Sequence, residues 1–173
     1  MTIGYSNEYA NGVPTFFKYK ILKGIDPMLI DYTLAFKTNE DLAAYEEMSP
    51  TLTVKIHTIR ADNSDRWHGG MKIHHCYHNR TPNRCCFLEN ECERTQRIQI
   101  IFKGMPIIAV NSRGKDVKVG IRTLVIVDGL VMNEEQVETI AKNDGFDSTA
   151  KLFEWFENKD FTGKILHWTK LRY

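Results

Sequence analysis

The chain has 173 residues, 42% of them hydrophobic, with 23 Lys and Arg against 22 Asp and Glu. That length and apolar content suit one domain with a core of its own, while a net charge of +1 excludes a bulk electrostatic hold on nucleic acid, so any such contact must be local. No run approaches the roughly 18 apolar residues of a membrane helix, and the first residues lack a basic stretch followed by an apolar one, so the sequence reads as soluble and cytoplasmic.

In chain order, residues 14–24 predict a short helix, with Pro14 near its first turn, Phe17, Ile21 and Leu22 at helical spacing, and Gly24 at its end. A second, weaker helix is predicted over 40–47, broken by Ser49-Pro50. Residues 1–50 are therefore expected to form an N-terminal helical extension packed on a unit spanning 51–173, the whole being a single domain. Strands are predicted over 54–60, 71–77, 97–102, 106–110, 117–120, 124–127 and 163–171, rich in β-branched residues and separated by Gly, Asn or Pro. Beyond them the period changes. Asn133 can cap a helix with Gln136 at its third position, Met132 can staple to Val137, and Val137, Ile140 and Ala141 form the buried stripe. Asp147 or Ser148 can cap one more helix, with Leu152, Phe153 and Phe156 facing inward.

Cys76, Cys85, Cys86 and Cys92 crowd into 17 positions without a secretion signal, which favours thiols over a disulfide framework. With His74, His75 and His78 they invite a zinc reading, but no Cys-x-x-Cys pair or finger spacing is present, so no metal and no cofactor is expected. Basic residues gather at Arg60, Arg66, Lys72, Arg80, Arg84, Arg94, Arg97 and Lys103, away from the acidic stretches at 40–47 and 134–157.

The most informative segment is Lys55-Ile56-His57-Thr58-Ile59-Arg60, followed by Arg66-Trp67-x-x-Gly70-Met71-Lys72-Ile73. A straight strand puts Thr58 and Arg60 on one face and His57 and Ile59 on the other, so Lys55 and Thr58 cooperate only if the chain bends between them. A bend with Lys, Thr and Arg converging suits a site for an anionic or nucleotide-like ligand.

This segment resembles the Lys-x-x-Thr-Ile-Arg signature of ASCH domains, small barrels of the PUA-like superfamily. Two further stretches are similar to that family: Ile140-Ala141-Lys142-Asn143-Asp144-Gly145-Phe146-Asp147-Ser148, like its acidic-Gly-Phe helix connection, and Phe161-x-Gly163-Lys164-Ile165-x-His167-Trp168-Thr169-x-x-Arg172-Tyr173, like the closing strand of a phage and bacterial branch. The resemblance implies an α+β fold, a PUA-like β-barrel with flanking helices. It implies recognition of RNA or a modified nucleoside in a cleft where Arg60, Arg66, Trp67, Lys72 and Trp168 bind the ligand. In one subgroup it implies an amidohydrolase of N(4)-acetylcytidine, whose catalytic set corresponds here to Lys55, Thr58 and Asp144. That subgroup usually offers glutamate where Asp144 stands; Glu138 is a neighbouring alternative. Chemically, a threonine hydroxyl needs a base to take its proton, and a lysine serves only when its pKa falls towards neutrality. A third reading is a phage or mobile-element module that has lost catalysis and binds a protein partner through the N-terminal third.

Overall fold

The computed structural model describes residues 1–110 and 114–173, with strand backbone alone over 103–110 and 116–122. The fold is mixed α+β, with its strands in two sheets. The smaller sheet is centred on β3 (Lys72–Tyr77), flanked by β1 (Thr2–Tyr5) in parallel and by β4 (Cys85–Glu91) antiparallel. The larger runs β2 (His57–Arg60), β8 (Phe161–His167), β5 (Arg94–Val110), β6 (Asp116–Val127) and β7 (Leu130–Val131), all antiparallel. Among the described residues the strands do not close into the expected barrel.

Helix α1 (Phe17–Lys23) buries Phe17, Ile21 and Leu22 and stops at Gly24, as the spacing predicts, although it begins three residues after Pro14. A four-residue helix, α2 (Tyr32–Ala35), precedes α3 (Asn39–Met48), which is capped by the Thr38 side chain. Helix α4 (Glu134–Asn143) has the predicted capping box of Asn133 and Gln136 and buries Val137, Ile140 and Ala141. In α5 (Thr149–Trp155) the cap is Ser148, whose side chain accepts from the Lys151 N–H. The core lies between these helices and the sheets; Ile98, Ile100, Ile140, Leu152, Ile165 and Leu166 are all sealed from solvent.

Three expectations are corrected. The N-terminal third is not wholly helical, because Thr2–Tyr5 alternates half-buried and buried positions and pairs with β3. The breaks predicted at residues 103–105 and 121–123 do not end strands: β5 and β6 run through them as one long hairpin, which absorbs the irregularity as a register shift between Ile101 and Met105. Finally, the cysteines are not all thiols. Cys76 and Cys86 face each other across β3 and β4 and form a disulfide, while Cys85 and Cys92 are free. Strand pairing, which local spacing does not encode, brings the two sulfurs together. Among the described residues no helix is long and apolar enough to cross a membrane.

Candidate functional site

The chain enters β2 through Lys55, which forms an isolated β-bridge to Asp144 at the C-terminal end of α4. Two flanking main-chain bonds hold this junction: Lys55 N–H donates to Lys20 O and Ile56 N–H to Asn143 O, both at 2.9 Å. The Lys55 ammonium donates to the Asp144 carboxylate and to the Asp144 main-chain carbonyl. The second carboxylate oxygen accepts from Ile59 N–H at 3.2 Å. Gly145 follows at φ +85, and a Cβ there would lie 3.2 Å from the Lys55 side chain, so a glycine both makes the turn and leaves room for the lysine stem. Aspartate in place of the subgroup's glutamate thus still reaches the lysine.

Where the β2–β8 edge meets the smaller sheet, Arg60 lies over the Tyr5 ring, 5.1 Å from its centroid. Tyr5 in turn stacks on His75, at 5.7 Å and 3°, and its hydroxyl lies 2.9 Å from His75 Nδ1. The other imidazole nitrogen, Nε2, is 2.9 Å from Asn90 Oδ1. Trp168, just after β8, packs edge-on against His75 at 4.9 Å. Three donors around this stack are buried and make no hydrogen bond: Arg60 Nε, Asn90 Nδ2 and Trp168 Nε1.

Burial dominates the electrostatics. It pushes the Lys55 ammonium down to about 8, against the pull of Asp144, and pushes the Asp144 carboxyl up, against the pull of Lys55. His75 is held at about 4 by burial, so its imidazole is neutral near pH 7, and burial raises the Tyr5 phenol while the Arg60 charge opposes that rise. Lys55 and Asp144 are 1% and 3% exposed, whereas Arg60 and Asn90 are half-buried, with Arg60 Nε and Asn90 Nδ2 themselves sealed from solvent.

The remaining sequence candidates separate. Thr58 is buried on the strand face that carries Arg60, and its hydroxyl makes no hydrogen bond to Lys55 or Asp144. Trp67 is buried in the core, its N–H donating to Asp62 and its carbonyl accepting from Lys164. Arg66 is exposed and 3.9 Å from Asp62; Lys72 is exposed on the face of β3 opposite His75, paired with Glu89 at 3.3 Å. Neither reaches the cluster, because alternation and the turn before β3 carry them away from it. Glu138 accepts from the Thr149 N–H and hydroxyl and is not a substitute for Asp144. The Lys103 side chain lies outside the described residues.

Sequence reasoning missed Tyr5, His75 and Asn90. The only available signal was the alternation that separates His75 from His74, which says where His75 points but not what it meets. His57 faces away from Thr58, as strand alternation predicts, and sits against His167 and Tyr173. An 850 Å³ cleft lined by Asp62, Asp65, Arg97, Asp128 and Lys164 is separate from the cluster. Among the described residues no three His, Cys, Asp or Glu side chains are grouped to hold a metal ion. No family model, curated protein or solved structure matches the chain.

Proposed function

We propose that the chain recognises a nucleobase, as a nucleotide or within single-stranded RNA, at the Arg60–Asn90–Trp168 face of the cluster. One observation carries this reading: three buried donors, Arg60 Nε, Asn90 Nδ2 and Trp168 Nε1, surround one aromatic stack and have no acceptor. Buried donors are nearly always paired, and each unpaired one costs about 1–3 kcal/mol. A ligand rich in carbonyl and ring-nitrogen acceptors offsets that cost, and a flat base is of the kind that stacks on aromatic rings and guanidinium planes such as those of Trp168, Tyr5 and Arg60. The near-zero net charge favours such local recognition over a general hold on phosphates. The reading agrees with the PUA-like and ASCH resemblance of the signature, although the described strands form two sheets.

A second reading, amidohydrolysis of an acylated pyrimidine nucleoside, draws on the Lys55–Asp144 contact and on a lysine whose pKa has fallen to about 8. It is the weaker of the two. The Lys55 ammonium is already engaged by one carboxylate oxygen and the main-chain carbonyl of Asp144, and the Thr58 hydroxyl makes no bond to it. Calorimetric titration with nucleoside monophosphates and a short single-stranded RNA tests the binding reading. Arg60→Met and Trp168→Phe should each weaken binding about tenfold or more, the worth of one hydrogen bond to a buried donor. No binding by the wild type would sink it. Acetate release from N(4)-acetylcytidine that is lost in Thr58→Val would establish the hydrolase instead.

A further inference from the structure

Hydrogen-bond direction is set by groups that have only one role. A guanidinium donates and never accepts. Tyr5 is buried under the Arg60 guanidinium, which lies over its ring 5.1 Å from the centroid, and among the described residues the one acceptor for its phenol hydrogen is His75 Nδ1, 2.9 Å off. Nδ1 then accepts. A neutral imidazole whose Nδ1 accepts carries its proton on Nε2, and that N–H needs an acceptor. Asn90 Oδ1 is there at 2.9 Å. The amide's oxygen is thereby used up by the ring, and its Nδ2, buried and without a partner, is left for whatever occupies the site. The opposite direction fails at its origin. If Nδ1–H donated to Tyr5, the buried phenol hydrogen would have no acceptor among the described residues.

We infer that Asn90 is a specificity-determining residue, turned by the Arg60–Tyr5–His75 relay so that it donates to the ligand, and that the site selects a base edge presenting a carbonyl over one presenting an amine. This rests on the nucleobase reading above and deepens it. The two other unpartnered groups, Arg60 Nε and Trp168 Nε1, are also donors, so the site as a whole asks for acceptors. An amine facing Asn90 Nδ2 leaves two donors against each other with water excluded. Tyr5 is a positioning residue here, acting on the ligand only through His75.

Uridine and cytidine 5′-monophosphates differ by a carbonyl against an amine at C4, with an N–H against a bare nitrogen at the neighbouring N3, which makes them the probe of a donor that meets the C4 substituent. Calorimetry on the full chain should give about tenfold or greater preference for the uridine nucleotide, the difference expected when one buried hydrogen bond is replaced by two opposed donors. Tyr5→Phe removes the hydroxyl that fixes the tautomer, so the His75 proton can move to Nδ1 and the Asn90 amide can turn over. Asn90→Asp presents an acceptor directly. Both variants should shrink or reverse the preference. Nitrogen-15 NMR of the ligand-free protein should report His75 protonated on Nε2, and loss of that single form in Tyr5→Phe. Tight binding of both nucleotides with equal affinity, or a wild-type His75 protonated on Nδ1, would overturn this inference and leave the nucleobase reading standing. No binding of any nucleotide would overturn both.

Discussion

Lys55 is joined to Asp144 twice, through a backbone bridge and through an ammonium that meets both the carboxylate and the main-chain carbonyl of the same residue. The pair links the start of β2 to the end of α4 across 89 positions of sequence. Removing one member leaves the other buried and uncompensated, which typically costs about 3–5 kcal/mol, whereas removing both costs far less than the sum. Lys55→Met and Asp144→Leu should each lower the urea midpoint sharply, with the double variant falling well short of additivity. Additive losses would mean that the two groups do not act as a pair.

Acid should destabilise the fold in a defined window. His57, His75 and His167 are fully buried, and burial holds His75 and His167 at about 4 and His57 well below its ordinary 6.5. The unfolded chain therefore takes up protons between 6.5 and about 4 that the native form refuses. The stability associated with these groups is complete above pH 6.5 and is lost as the pH falls towards 4, by up to about 1.4 kcal/mol per pH unit for each histidine. Urea midpoints recorded from pH 7.5 to 4.5 measure the slope. His167→Phe should flatten it at little cost at neutral pH, because both nitrogens of that ring are buried without partners.

Gly145→Ala should destabilise the protein by about 1–3 kcal/mol, since it imposes a left-handed conformation on an alanine and presses its Cβ against the Lys55 stem. Thermal unfolding checks the magnitude. A neutral or stabilising result would show that the turn can relax away from Lys55.

Alkylation of the unfolded, unreduced protein should label two cysteines, Cys85 and Cys92, and four after reduction. In the native protein the half-buried Cys85 should react well before Cys92, which is sealed and whose thiol burial pushes up. Reduction should cost about 2–3 kcal/mol, as expected for a short closed loop. Four labels before reduction would exclude the Cys76–Cys86 bond.

What could be read in advance was what the chain settles locally. The caps at Asn133 and Ser148 and the stripe of Val137, Ile140 and Ala141 depend on neighbours within one or two helical turns, and the structure has them where the spacing puts them. Strands depend on partners far away. β1 and β4 carry no pattern strong enough to be recognised alone and exist because β3 lies between them. The same limit governs the site. In the sequence only the family resemblance connects Lys55 with Asp144, and Arg66 and Lys72 lie near the signature along the chain, although the turn and the far face of β3 take them elsewhere. Tyr5, His75 and Asn90 come from three strands, and nothing local announces that they meet.

The parallel pairing of β1 with β3 sets an order of events on the ribosome. Tyr5 emerges well before Tyr77, its partner in the ladder, and before His75, its hydrogen-bonding partner 70 positions on. A strand in parallel register cannot fold back by a hairpin, so these early residues must wait, solvated, for about seventy more to follow before they find a place. Strand β1 is thus held open until β3 has been made, and whatever slows that docking also delays assembly of the aromatic stack.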